Sequence, residues 1–332
     1  MKEKKAHCKG KLLLTGEYLV LDGATALAVP TKKGQSVSLS SLKDYKENDV
    51  PELFEKPSVD SPYLKEYSEP TLIWQSFDYK NNCWFEATYN LNYLSPKEYK
   101  DFKIALQVSR LLQSCRALNP AFLKEKTDCV IKTQLDFPNN WGLGSSSTLT
   151  AGIAEIANIN ALELHFGCFN GSGYDVAVSM EQKPVLYTLF EGKPIVEPVT
   201  FNPTYRKYLW FIHLGEKQNS TLEINKYRKR KHISASDIYH ISDISNHVLK
   251  CQDLHEFEEL IKEHESIIAK VLDRPNIKTL MFFDYPHAIK SLGAWGGDFI
   301  LATGTEDDMD YFRSKGFDTI LSYEEMVWGR FS

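Results

Sequence analysis

Pro138-Asn139-Asn140-Trp141-Gly142-Leu143-Gly144-Ser145-Ser146-Ser147-Thr148 lies between two apolar runs of different period. Before it, Cys129-Val130-Ile131 reads as a strand. After it, Leu149, Ile153, Ile156 and Asn160 recur at spacings of four, three and four, the period of a helix. Glycine lets a backbone turn tightly and approach a ligand closely. Serine is a favoured helix N-cap, and the first helical turn leaves its N–H groups unpaired. A strand, a glycine turn and a serine-rich helix start together form a cradle for phosphate. The same residues also suit a serine-capped helix after an ordinary turn, and the stretch alone leaves both readings open.

The rest of the chain narrows the choice. With 332 residues it can bury a sizeable core and divide into two domains. A hydrophobic content of 42% and a charged content of 25% are ordinary globular values. A formal charge of -5 argues against a general nucleic-acid binder, whose domain would be basic. Cys8, Cys83, Cys115, Cys129, Cys168 and Cys251 are scattered with no C-x-x-C pair, which suits reduced thiols rather than a disulfide frame or a zinc site. No apolar run reaches membrane-spanning length, and the lysine-rich start lacks an apolar signal core. The expectation is a cytoplasmic protein without a membrane or nucleic-acid partner, in which the sequons at Asn170 and Asn219 carry little weight.

In order, Lys11-Leu12-Leu13-Leu14 through Leu19-Val20-Leu21, and then Ala26-Leu27-Ala28-Val29, read as two buried strands joined by a turn at Asp22-Gly23. Lys11 leads the first strand, and the bend Thr15-Gly16-Glu17-Tyr18 follows it. Aromatics in alternating patches, among them Trp74, Phe77, Tyr79, Trp84, Phe85 and Tyr89, predict further antiparallel strands, with a polar loop at Lys43 to Asn48. The spacing of Ile104, Val108, Leu111, Leu112, Cys115 and Leu118 predicts a helix over Pro96 to Leu118. Beyond a relaxed stretch at Pro198 to Pro203, strands at 209–212, 299–301 and 319–321 alternate with helices near 235–250, 254–272 and 306–315. That alternation predicts a small α+β sandwich, with domains at 1–200 and 201–332.

Three glycine-containing loops, 10–18, 138–148 and 290–298, carry a resemblance. Pro138 through Ser146 resembles the P-x-x-x-G-L-G-S-S-A motif of the GHMP kinases, with Ser147 at the alanine position. Gly10-Lys11 to Gly16-Glu17-Tyr18 is similar to that family's first motif, and Gly293-Ala294-Trp295-Gly296-Gly297 to its glycine-rich third. Ser172-Gly173-Tyr174-Asp175-Val176-Ala177 is similar to the S-G-x-D-x-A element of the mevalonate and phosphomevalonate branch, in the G-Y-D-I-A variant. The stretch is neither a Walker A loop nor a Rossmann fingerprint.

The resemblance implies an α+β, two-domain fold: an N-terminal part like domain 2 of ribosomal protein S5 and a ferredoxin-like C-terminal sandwich. It implies ATP and Mg²⁺, with Pro138, Gly142, Leu143, Gly144, Ser145, Ser146 and Ser147 around the phosphates and Ser146 reaching the metal. Lys11 and Asp175 would be the catalytic pair, Asp175 accepting or only orienting the acceptor's hydroxyl proton. On the substrate side it places Ser172, Gly173, Ser220, Thr221, Gly293, Ala294, Gly296 and Gly297, while Glu17 and Tyr18 either line that side or brace Lys11.

Each assignment has a plainer counterpart. Ser172 and Asp175 have capping-box spacing, and the third glycine loop could be a tight packing turn. The basic run Lys226 to Lys231 is a solvated face or an attractor of an anionic acceptor. Trp295 stands where the family has glycine, and Glu163 does not match the spacing of the mevalonate-kinase metal glutamate, which favours the phosphomevalonate branch. A small-molecule acceptor from the mevalonate pathway is expected, with a sugar, homoserine or a catalytically silent sensor as alternatives and a homodimer as a possible assembly.

Overall fold

The computed structural model describes residues 2–44, 69–124, 127–215, 220–229, 233–293 and 298–329. Strands β1 (Lys4–Leu13) and β2 (Ala26–Ser41) open the chain, followed by β3 (Thr71–Phe77), β4 (Cys83–Asn90) and β5 (Pro96–Tyr99). Helix α1 (Phe102–Leu118), β6 (Cys129–Leu135), α2 (Ser145–Ala157), α3 (Ala161–Cys168) and α4 (Tyr174–Glu181) come next. Then follow β7 (Val185–Phe190), β8 (Lys193–Pro198), β9 (Leu209–His213), α5 (Ser220–Arg228), α6 (Ala235–Lys250) and α7 (Leu254–Leu272). The chain closes with α8 (Ile277–Met281), β10 (Ile289–Ser291), β11 (Phe299–Thr303), α9 (Asp310–Ser314), β12 (Ile320–Ser322) and α10 (Tyr323–Met326).

Two compact units share these elements, each built from three chain segments. One comprises Met1–Cys8, Gly34–Pro138 and Thr148–Phe169. Its sheet runs β5-β4-β3-β6 and then the second half of β2. β3 and β6 are parallel, with Leu72 opposite Cys129 and Phe77 opposite Gln134; the other pairs are antiparallel. The expected aromatic strands form here, and their inward side chains Trp74, Phe85 and Tyr89 are buried. The two polar tips are satisfied: Trp74 Nε1–H donates to Ser76 Oγ at 2.9 Å, and the Tyr89 hydroxyl to the Ala105 carbonyl at 3.2 Å. Helix α2 lies close on β2 because Gly152 has no side chain; a Cβ there would fall 2.6 Å from Val37 Cγ2.

The other unit comprises Lys9–Lys33, Asn139–Ser147 and Asn170–Ser332. The first half of β2 pairs with β7, and β7 with β8. A separate sheet has the order β10-β11-β9-β12, antiparallel throughout. That is the ferredoxin-like arrangement, and the predicted strands and helices of the C-terminal part form it. Ile212, Ile289, Ile300, Phe282, Tyr285 and Phe312 make its core. Helix α6 starts at a Ser234 cap and α7 at an Asp253 cap, as their sequences favour. Side chains of α6 hold the β1–β2 connection: Thr15 Oγ1 is 2.7 Å from Ser245 Oγ, and the Thr25 N–H donates to Ser242 Oγ at 2.9 Å.

Three local expectations are corrected. Leu19–Asp22 is a 3-10 turn rather than a strand, because Gly16 (φ 93°) and Tyr18 (φ 63°) bend the chain out of extended geometry. Pro96–Tyr99 is a strand; the helix waits for Asp101, whose carboxylate accepts the Ile104 N–H at 3.0 Å. Asn160 does not continue α2. It caps α3 by accepting from Leu162 and Glu163, which places Glu163 in the first turn of that helix. The polar loop expected at Lys43 to Asn48 lies mostly outside the described residues.

Candidate active site

The glycine turn folds as its residue types dictate. Gly142 (φ 64°) and Gly144 (φ 88°) take left-handed backbone, and α2 begins at Ser145. Trp141, just before the turn, packs edge-on against Phe299 with centroids 5.5 Å apart, and His213 Nε2 meets the Asn140 carbonyl at 3.0 Å. Strand β1 is tied to the same turn at two points on one residue. The Lys11 backbone N–H donates to the Leu143 carbonyl at 3.0 Å, and Lys11 Nζ donates to the Gly142 carbonyl at 3.1 Å. Gly10 makes this approach possible, since a Cβ there would sit 2.8 Å from the Leu143 oxygen.

Lys11 is 9% exposed. Burial alone would lower its pKa, but the neighbouring Tyr174, Asp175 and Asp298 outweigh that and raise it above the ordinary lysine range. The ammonium lies 5.7 Å from the centre of the Tyr174 ring. Burial raises the Tyr174 hydroxyl's pKa and the Lys11 charge pulls against it; the net direction is up, so the phenol keeps its proton near neutrality. Asp175 sits in the first turn of α4, half-buried, with Oδ1 accepting from the Val176 N–H at 3.0 Å. The capping-box alternative is not what forms. The N-cap of α4 is Gly173 (φ 82°) without a side-chain cap bond, and buried Ser172 accepts the Tyr187 hydroxyl on its carbonyl.

Glu17 is 1% exposed and turned to Lys290, whose Nζ is 2.6 Å from Oε1. His264 Nε2 lies 3.2 Å from the other Glu17 oxygen and 2.9 Å from the Gly16 nitrogen. Lys290 is 0% exposed and also reaches Glu265 Oε1 at 3.3 Å and the Ser291 carbonyl at 3.0 Å. Burial would raise the Glu17 carboxyl's pKa; the Lys290 and His264 charges reverse this and hold it below the usual range. The cluster fastens the Gly16–Glu17 bend to α7 and β10. Tyr18 packs on Tyr227 at 5.3 Å between centroids, and its buried hydroxyl has no hydrogen-bond partner among the described residues. Burial pushes that phenol up, and Glu223 adds to it.

The other candidates fall as follows. Ser145 and Ser146 open α2, with Ser146 exposed, while buried Ser147 turns its hydroxyl back to the Gly144 carbonyl at 2.8 Å. Leu143 is buried, and Pro138 ends the preceding segment of the first unit. Gly293 (φ 74°) follows β10. Ala294, Trp295, Gly296 and Gly297 lie outside the described residues, as do Lys217-Gln218-Asn219, Arg230 and Lys231. Ser220 and Thr221 form the first backbone positions of α5. From the basic run, Lys226 pairs with Glu223 at 2.6 Å.

Sequence reasoning passed over Tyr174, His264, Glu265, Lys290 and Asp298 as site residues. Lys290, a charge directly after the apolar pair Ala288-Ile289, and Asp298, directly ahead of Phe299-Ile300-Leu301, were the available signals. Among the described residues no group of three or more His, Cys, Asp or Glu side chains is placed to hold a metal, and no helix is long and apolar enough to cross a membrane.

No sequence-family model matches the chain, and no curated protein matches it by sequence. Solved structures match it along nearly its whole length. The mevalonate kinase of Methanococcus jannaschii superposes with a TM-score of 0.66 at 14% identity, covering 99% of both chains. The Streptococcus pneumoniae phosphomevalonate kinase in complex with phosphomevalonate and AMPPNP gives 0.62 at 14%, covering 97% of this chain and 100% of its own. The galactokinase of Lactococcus lactis complexed with galactose gives 0.61 at 12%, covering 99% and 94%. The chain has the GHMP-kinase fold. At these identities the likeness is one of architecture, and it spans enzymes that act on different acceptors. The expected α+β organisation therefore holds for the GHMP-kinase fold of this chain, while its chemistry has to be argued from the site.

Proposed function

We propose that this chain is an ATP-dependent kinase that phosphorylates phosphomevalonate or mevalonate. One observation carries the reading. Lys11 is bonded through both its backbone and its side chain to the glycine turn, and its charge is coupled to that of Asp175. Three segments distant in sequence thus supply a glycine turn at a helix start, a cation and a carboxylate, which would serve the positioning and charge stabilisation that phosphoryl transfer requires.

The residues present fit a nucleotide and its metal. Two glycines with left-handed backbone precede a helix of 13 residues, and the positive end of a helix dipole favours phosphate oxygens. The exposed Ser146 hydroxyl, a hard oxygen donor, would hold Mg²⁺. When bound, that ion neutralises charge gathering on the phosphate oxygens. Lys11, charged across the physiological range, draws negative charge from the oxygen that joins acceptor to phosphorus. Asp175 orients the acceptor hydroxyl or takes its proton as the bond from phosphorus to the departing ADP oxygen breaks. Glu17 and Lys290 hold the bend after Lys11 in place, and Tyr18, Ser172 and Gly173 would line the acceptor side. The division at residues 1–200 and 201–332 belongs to this reading.

A coupled ADP-release assay over mevalonate, phosphomevalonate, galactose and homoserine tests it. Turnover of a mevalonate-pathway acceptor is expected to exceed the others by on the order of 10²-fold or more in kcat/KM. Turnover of galactose or homoserine alone would keep the chemistry and change the acceptor. ATP binding with turnover of none would favour a binding protein.

Gly144→Ala provides a separate check on the cradle. Its Cβ would meet Ser147 Oγ at 2.5 Å and Lys11 Cγ at 3.2 Å, at a φ of 88°. Left-handed backbone costs a non-glycine residue about 1–2 kcal/mol. ATP affinity, measured calorimetrically on folded protein, is expected to drop roughly tenfold. Unchanged affinity would place the nucleotide elsewhere.

A further inference from the structure

Asp298 has no part in the reaction described above, yet it is a buried carboxylate set against two glycines of the unit. It is 5% exposed at the entry to β11, where its carbonyl accepts the Leu214 N–H at 2.9 Å. Its carboxylate fills the space that side chains on two glycines would need. A Cβ on Gly142 would lie 2.3 Å from Oδ2, and one on Gly293 would lie 3.0 Å from the same oxygen. Gly142 and Gly293 therefore both leave room for this one carboxylate. Lys11 Nζ bonds to the carbonyl of the same Gly142, so ammonium and carboxylate flank a single residue.

Chemistry makes that location costly unless it does something. A carboxylate beside a phosphate cradle repels an anionic ligand. A cation that offsets this charge is Lys11, whose surroundings include Tyr174 and Asp175 from α4 and Asp298 from the start of β11. Asp298 thus adds a second carboxylate to the surroundings of an ammonium that hydrogen-bonds the Gly142 carbonyl.

We propose that Asp298 is a positioning residue for Lys11, holding the ammonium over the Gly142–Gly144 turn and joining that turn to the Gly293 loop. The catalytic consequence rests on the kinase reading; the geometric claim does not. An ammonium is lost as pH rises through its pKa, so removing a stabilising carboxylate moves that loss to lower pH. An ordinary lysine is half neutral at about pH 10.4.

The test is an NMR titration of the Lys11 ¹³Cε signal in nucleotide-free protein labelled with ¹³C-lysine, the resonance being assigned by its loss in Lys11→Arg. In wild type the midpoint is expected above that of ordinary lysine. In Asp298→Asn, which keeps the shape and removes the charge, it is expected about one pH unit lower, equivalent to tenfold more neutral amine at a given alkaline pH. The alkaline limb of kcat/KM should move the same way while the acid limb stays. Gly293→Ala, whose methyl would crowd the carboxylate, should shift the midpoint in the same direction, and it carries the test if Asp298→Asn does not fold. A wild-type midpoint at or below ordinary lysine, or a folded Asp298→Asn with the wild-type midpoint, would overturn the proposal. If ATP fails to perturb the Lys11 signal while the Asp298→Asn shift is present, the kinase reading fails and the positioning role stands.

Discussion

Asp175→Asn is expected to reduce kcat by about 10²- to 10⁴-fold, the range for loss of a positioned acid–base group, while ATP affinity stays within a factor of a few. The substitution is nearly isosteric. The asparagine oxygen can still accept the Val176 N–H that Oδ1 accepts at 3.0 Å, and the N-cap at Gly173 is untouched, so α4 should start where it does now. What disappears is one negative charge beside Lys11 and the means of taking or orienting the acceptor's proton. The glycine turn is held by main-chain contacts with β1 and does not depend on Asp175. Rate and nucleotide binding should therefore separate, with the loss in kcat and kcat/KM alike. A near-normal rate in the folded variant would remove Asp175 from the mechanism. A parallel collapse of ATP binding would instead make it part of the nucleotide site.

What was legible in the sequence was what is local. The turn Gly142 to Ser145 and the helix after it announce themselves because backbone freedom and capping are properties of adjacent residues. The helices at 235–250 and 254–272 were readable for the same reason, having both apolar period and side-chain caps. Elements that depend on distant partners were misread. Leu19-Val20-Leu21 has a strand's composition, but the chain is turned by Tyr18 at φ 63°, whose ring rests on Tyr227 more than two hundred residues away. Pro96–Tyr99 extends because β4 pairs with it. The candidate site follows the same rule. Lys11, Asp175 and the glycine turn were found through motifs, whereas Lys290 and Asp298 matter through contacts with Glu17, Gly142 and Gly293 that no local spacing encodes. Ser147 shows the reverse: its residue type suited a phosphate contact, and its hydroxyl is bonded within the loop.

Lys290→Met should produce a stability loss of about 3–5 kcal/mol, because it leaves buried carboxylates without their cation. Methionine matches the lysine stem in length and apolar character, so packing within β10 is retained and the effect isolates the charge. Glu17 loses its 2.6 Å partner and Glu265 its 3.3 Å partner, and both are enclosed. His264 at 3.2 Å from Glu17 can compensate only in part. Urea unfolding monitored by tryptophan fluorescence reads the loss. A second substitution tests the cause. Glu17→Gln in the Lys290→Met background should restore part of the stability, since an uncharged amide no longer needs a cation, and the two changes should be clearly non-additive. The pH dependence has a fixed sign. Because the folded state depresses the Glu17 carboxyl below its unfolded value near 4.3, the pair's contribution is complete above about pH 5 and declines as pH falls through the depressed value. Lys290→Met should abolish that depression, so wild type and variant converge in stability as acid protonates Glu17. Equal stability of the two proteins at neutral pH would mean that the bend after Lys11 is held by α6 through Thr15 and Thr25 rather than by this buried pair.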